Sequence, residues 1–284
     1  MIWVPLPLRG IGISEKDNDM KERHSLSQPA IPTFLERIRA CTPARVLADR
    51  AGAAYRTAVQ LELRQAHAAA RDAVRTELDL ARDFDPEFAA AWNLFEVSTQ
   101  VKSKDEYLLR PDLGRRFSEQ SVRTILARCT SKVDLQIVVG DGLSVTAVAA
   151  QVPRLMPLVV TLAKAQGWSL GYPFVTRYCR VGLMNHIGDL LSPKIVVMLI
   201  GERPGLATAE SLSAYMAFQP QSGHSDAHRN LISNIHSRGV STEDAAHRIV
   251  RLAAQMMRQG TSGVSLKEEL AGPARAGDLP GDGN

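Results

Sequence analysis

An α/β fold is predicted, with a Rossmann-like, largely parallel sheet flanked by helices and a small helical N-terminal domain before it. Three observations predict it. Residues 135–140 (LQIVVG) and 194–200 (KIVVMLI) are short, almost continuously apolar runs, as expected of strands covered on both faces. Between and around them, apolar residues recur at helical spacing. Both runs leave into glycine-rich loops, GDGLS (140–144) and GERPG (201–205), at the strand ends where open α/β sheets bind ligands.

Residues 1–32 mix proline, glycine and charge without a period and are expected to be a disordered leader, with a short docking peptide as the functional alternative. Residues 33–110 are expected to form the helical domain. Between residues 62 and 84, Ala66, Ala70, Val74 and Leu78 make a stripe of small apolar positions along one helix face. Residues 93–101 (NLFEVSTQV) are β-rich and can form a strand. The boundary is set near Pro111, after a charged stretch, and the α/β domain runs over 111–270.

Within that domain, Val122, Ile125, Leu126 and Cys129 predict a helix with one buried face, starting at Ser118. A tight turn at 141–144 leads into a helical segment, 145–166, expected to be interrupted by Pro153 and Pro157. A strand lies within 173–183, a short helix spans 185–191, and 214–219 (AYMAFQ) is expected to be an edge strand. The last helix starts behind Ser241, buries Ala246, Ile249, Val250, Ala253 and Met257, and stops at Gly260. Residues 271–284 are a Gly- and Pro-rich tail, expected to be disordered.

Composition narrows the function. The net charge is +4, but 34 basic residues are interleaved with 30 acidic ones, a pattern that argues against nucleic-acid binding. The aliphatic run 195–200 is far shorter than the ~20 residues needed to span a bilayer, so no membrane partner is expected. Cys41, Cys129 and Cys179 are odd in number and far apart, which fits a reducing cytoplasm rather than a disulfide framework.

No motif settles the chemistry alone. Gly140-Asp141-Gly142 opens like a dinucleotide fingerprint, but Val145 replaces the third glycine, so a stand-alone dinucleotide enzyme is the alternative and a plain tight turn the simpler reading. His224 and His228 are four apart, with His236 beyond, yet no second ligand pair has metal spacing. Asp226-Ala227-His228 begins like a cobalamin-domain motif, but Leu231 occupies its glycine position, so His228 is rejected as a cobalt ligand. Ser144 lacks the flanking glycines of a nucleophile elbow. Glu202 and Arg203, directly after a buried strand, stand where polar groups orient ligands.

Several ordered stretches resemble the small subunit of ethanolamine ammonia-lyase: 104–116 (KDEYLLRPDLGRR), 133–144 (VDLQIVVGDGLS), 179–183 (CRVGL), 195–206 (IVVMLIGERPGL), 227–235 (AHRNLISNI) and 262–267 (SGVSLK). Residues 55–74 extend the resemblance more weakly. It implies one subunit of an adenosylcobalamin-dependent lyase that converts ethanolamine to acetaldehyde and ammonia by a radical mechanism. It also implies a large-subunit partner that binds substrate in a β/α barrel, a hetero-oligomer with the cofactor at the subunit interface, and a cytoplasmic location, free or inside a bacterial microcompartment. The family's cofactor contacts fall on Val181, Glu202 and Leu231; no catalytic side chain and no metal ligand falls on this chain. Where Leu231 stands the family usually has cysteine, and where His228 stands it commonly has glutamate.

Overall fold

The computed structural model describes residues 33–268 apart from 41, 43, 47 and 49. The expected leader and tail, and Cys41, lie outside the described residues. The chain runs α1 (Phe34–Ala40), β1 (Arg50–Ala51), β2 (Ala54–Tyr55), α2 (Thr57–Arg75), α3 (Leu80–Asp83), α4 (Pro86–Ala91) and β3 (Glu96–Ser98). It continues with α5 (Lys104–Leu109), α6 (Glu119–Arg128), β4 (Leu135–Gly140), α7 (Val145–Ala165), β5 (Phe174–Arg177) and α8 (Leu183–Leu191). It closes with β6 (Ile195–Gly201), β7 (Leu212–Phe218), β8 (Asn230–Ile235) and α9 (Thr242–Gln259). Helix starts follow local chemistry. Asp79, Asp85, Ser103, Ser118, Ser144 and Ser241 each accept a backbone N–H of the first turn of the helix they precede.

Six strands form one mixed sheet in the order β3-β5-β4-β6-β7-β8. The first four are parallel; β7 and β8 are antiparallel to their neighbours. Alternation along β6 sends Ile195, Val197 and Leu199 to a core shared with α7 and α9, and Val196, Met198 and Ile200 to a second core shared with α6 and α8. Burial on both faces explains why β4 and β6 are continuously buried.

The sheet differs from the predicted one on its antiparallel side. β7 is interior rather than an edge, and the edge is β8, whose NLISNI carries two asparagines and alternates only weakly. Pairing of this kind departs from a Rossmann-like order. α7 runs unbroken through Pro153 and Pro157, because ten of its residues are buried and packing outweighs the lost backbone bonds. α7 is also long and apolar enough to cross a membrane, but half of it is buried inside the protein against the sheet and α9, as a core helix. In α6, Leu126 is 54% exposed, outside the buried face expected of it.

Residues of the expected helical domain also join the main body. β3 pairs with β5 at the sheet edge, and Leu78, Phe84 and Leu94 pack into the core of α7 and α9. The α2 stripe is only half-buried, with no fully buried residue, and Leu78 lies past the end of that helix.

One buried polar cluster ties together the carboxyl ends of the parallel strands. Asp141, directly after β4, is fully buried, and its carboxylate accepts the N–H groups of Tyr178 and Cys179, both at 2.8 Å, at the exit of β5. The Lys104 ammonium, at the start of α5 and 5% exposed, stands 3.9 Å from the same carboxylate and donates to the Gly142 carbonyl. Burial pushes the Lys104 amine down and the Asp141 carboxyl up; the two opposite charges resist both shifts. Tyr107 of α5 donates its hydroxyl to the Cys179 carbonyl, and the Arg180 guanidinium stacks on its ring at 4.0 Å while donating to the Tyr107 carbonyl.

Removing one member of this cluster strands the others. Asp141→Ala leaves a buried ammonium unpaired and two N–H groups without acceptors, and is expected to cost about 3–5 kcal/mol, read as a lower urea midpoint. A second prediction concerns pH. Lys194, through its ammonium, and Ser169, through its N–H and hydroxyl, hold the Asp134 carboxyl down at about 2. Its stabilisation is present above the unfolded pKa of about 3.9 and is lost as pH falls through the folded value. With solvent screening allowed for, Asp134→Asn is expected to remove about 1 kcal/mol at neutral pH. It should also flatten the loss of stability between about pH 4 and pH 2, measured by urea unfolding at several pH values.

Candidate functional site

At the carboxyl ends of β4, β5 and β6 the chain forms a concavity of about 310 Å³. It lies on the α8 side of the sheet. Tyr215 and Leu231 are register partners across β7 and β8, and Tyr215 packs against the core that holds α8. Leu231 is 44% exposed, whereas the next residue, Ile232, is buried on the opposite face. The floor is apolar, made by Ile200, Leu143, Val181, Tyr215 and Leu231, and Glu202, Arg203, Ser213 and Ser233 add polar atoms.

All three residues singled out in the sequence line this concavity. Val181 lies half-buried just before α8, where its carbonyl accepts the Met184 N–H. Glu202 is the first residue after β6. Its Oε1 accepts from the Ser213 hydroxyl at 2.6 Å and the Asn234 N–H at 2.9 Å, and its Oε2 accepts from the Ser211 hydroxyl at 2.7 Å. Glu202 therefore ties β6, β7 and β8 together. A carboxylate has about four acceptor positions; three are used here, which leaves one on Oε2. Arg203 beside it is exposed.

The glycine-rich loops line the concavity through Gly142, Leu143, Gly201, Glu202 and Arg203, and their glycines also let the two loops meet. A Cβ on Gly201 would stand 2.0 Å from the Ser144 carbonyl oxygen, and one on Gly142 (φ +55°) 2.3 Å from the Gly201 carbonyl oxygen. Leu143 N–H donates to that same Gly201 carbonyl. The two loops thus close on each other, backbone against backbone. Ser144 caps α7 by accepting the Ala147 N–H and donates to the Ala209 carbonyl. Gly140-Asp141-Gly142 is a packed strand-to-helix turn whose aspartate points into the protein, which disfavours the dinucleotide alternative.

His224 and His228 sit in a loop and a single 3-10 turn, with their rings stacked 4.4 Å apart, rather than on one face of an α-helix. His236 pairs with Asn234. Among the described residues no group of three histidine, cysteine or carboxylate side chains could hold a metal ion. Burial raises the thiol pKa of both described cysteines. Cys179 is fully buried and is pushed well above the ordinary range; Cys129 is pushed up to about 11.

Sequence reasoning missed a second cleft of about 650 Å³, which shares Arg180 and Val181 with the first. Arg115, Arg116 and Arg229 also line it, together with His186 and His224. Its residues come from three separate stretches of chain, so no local pattern marks it.

Comparison with known proteins bears on the same region. The family model of the ethanolamine ammonia-lyase light chain matches residues 32–267. The ethanolamine ammonia-lyase small subunit of Clostridium acetobutylicum is 40% identical over 233 residues, covering 82% of this chain and 94% of that protein. The small subunit of Clostridium perfringens is 40% identical over 88% of this chain and 82% of its own length. That of Clostridioides difficile is 41% identical over 81% and 76%. With most of both lengths matched at this identity, the chain belongs to the ethanolamine ammonia-lyase light chain family.

Proposed function

We propose that this chain is the small subunit of an adenosylcobalamin-dependent ethanolamine ammonia-lyase, that it yields acetaldehyde and ammonia only together with a large subunit, and that its concavity covers one side of the cofactor. The observation that carries this reading is that Val181, Glu202 and Leu231, far apart in sequence, line one concave surface at the carboxyl edge of the sheet.

The lining residues fit part of a corrinoid. An apolar floor suits a flat macrocycle, and polar atoms suit the amide side chains around it. Arg203 and Ser233 carry donors for amide oxygens, and the remaining acceptor position on Glu202 suits an amide N–H. About 310 Å³ lies near the lower end of sites that enclose drug-sized molecules. A corrinoid is larger, so a second surface must supply the rest of its burial. The apolar Leu231 and Tyr215 then lose water only when that surface closes over them.

When bound, the cofactor supplies radical chemistry through its cobalt–carbon bond. This chain's share is to hold the ring edge, orient its amides and exclude water. Glu202 has two tasks, since it also fixes the strands that carry Ser213, Tyr215 and Leu231.

Three outcomes follow. The purified chain alone releases no ammonia from ethanolamine, and co-expression with a large subunit restores cobalamin-dependent release; activity of the chain alone would end this reading. Leu231→Glu places a charge on the apolar floor and is expected to weaken cobalamin binding by the complex about tenfold or more, with little change in melting temperature. An unchanged absorbance titration would remove Leu231 from the contact. Glu202→Ala leaves three donors without their acceptor and is expected to cost about 1–3 kcal/mol of stability as well as cofactor affinity.

A further inference from the structure

The exit loop of β6, residues 202–211, brings Glu202 and Arg203 to the concavity and returns the chain to β7. Its returning limb is held by the body of the protein. Ser144 donates to the Ala209 carbonyl, Gln151 to the Glu210 carbonyl, and Ser211 to the Glu202 carboxylate. Its tip is held by a segment remote in sequence. The Arg45 guanidinium donates through Nη1 to the Leu206 carbonyl at 2.5 Å, across 161 residues of chain, and through Nε to the Glu62 carboxylate of α2 at 2.9 Å. One planar fork thus joins α2 to the loop. Arg238, after β8, donates to the next carbonyl, that of Ala207, at 3.5 Å.

Fold stability does not account for the Arg45 bridge. Residues 42–62 supply none of the buried side chains of the two large cores. Arg45, Val46, Val59, Glu62 and Arg238 instead line a hollow of about 310 Å³. The Glu62 side chain is 61% exposed, and ion pairs at such positions contribute little to folding. A charge-assisted bond to a backbone carbonyl does, however, fix a loop in one place. Within the tip, the Gly205 N–H donates to the Thr208 carbonyl at 3.0 Å and closes a turn. Pro204, buried and with its φ locked by the ring, couples that turn to Arg203.

We propose that Arg45 is a positioning residue for the cofactor site: its guanidinium fixes the tip of the β6 exit loop and so sets where Arg203 stands at the concavity. This assignment rests on the cofactor reading of that concavity. Arg45 is not among the residues that line it, so its effect passes through the loop. The segment that adds nothing to the large cores gains a task in ligand binding.

The test uses the complex with its large subunit, absorbance titration with cyanocobalamin, and three variants: Arg45→Met, Arg203→Ala and the two combined. Arg45→Met is expected to weaken binding roughly fivefold, while the melting temperature of the complex falls by less than about 2 °C. Arg203→Ala weakens binding as well. The combined variant binds no more weakly than Arg203→Ala alone, because without that guanidinium Arg45 has nothing left to place. Losses that multiply in the combined variant overturn the proposal, since Arg45 then acts by another route. A melting temperature that drops in step with affinity reduces Arg45 to a structural tie and also overturns it. So does unchanged affinity in either single variant, and in that case the cofactor reading stands. A wild-type complex that takes up no cyanocobalamin overturns the cofactor reading itself.

Discussion

The carboxylate of Asp141 is the constraint on which the functional edge of the sheet depends. It is fully buried, directly after β4, and gathers the backbone of β5's exit and the Lys104 ammonium around one charge. An uncompensated ion in such a place would be far too costly to keep, so its partners hold their positions as a set. Those partners fix residues 178–180, and with them the start of α8. Val181 and Arg180, the wall between the two hollows, are where they are because of this charge. The polar cluster thus does for the carboxyl edge what the apolar cores do for the body of the sheet.

Glu202 repeats the logic on the antiparallel side, without full burial. Its two oxygens accept from Ser211, Ser213 and Asn234, so the hairpin-like end of β7 and β8 is pinned to the exit of β6. Between these two carboxylates lies an apolar floor left without a helix above it. α8 and α6 cover the parallel half of this face, while Leu231 on β8 remains 44% exposed. A sheet that leaves such a strip uncovered, rimmed by rigidly held polar groups, has the form of an interface. A partner that completes the enclosure gains that area without having to order it first.

Much of this fold is legible in the sequence where burial alone decides it. β4 and β6 are apolar on both faces, and the α9 stripe is bounded by Ser241 and Gly260, so local pattern and tertiary structure agree. Legibility fails where the deciding interaction is non-local. β8 carries Asn230 because its side chain binds Gly263 and Leu266, and Asn234 because it takes a left-handed backbone (φ 62°) while its side chain pairs with His236, and nothing within NLISNI announces a strand. Lys104 looks like a solvated residue in KDEYLL, and only the fold supplies its buried counter-charge. The prolines of α7 suggest breaks that packing on the sheet and α9 overrides. At the site, strand-end position pointed to Glu202. Val181 and Leu231 came from resemblance alone, because their neighbours in space lie on other strands.

Leu231 has a chemical consequence beyond its shape. The two described cysteines are held in the thiol form by burial, far from the ionised state that reacts with oxidants or alkylating reagents. A leucine on the open floor leaves the lining of the concavity without an accessible sulfur atom, because Cys179, its one sulfur-bearing residue, is sealed inside. The exposed part of this surface therefore keeps its hydrophobic character under peroxide or disulfide stress.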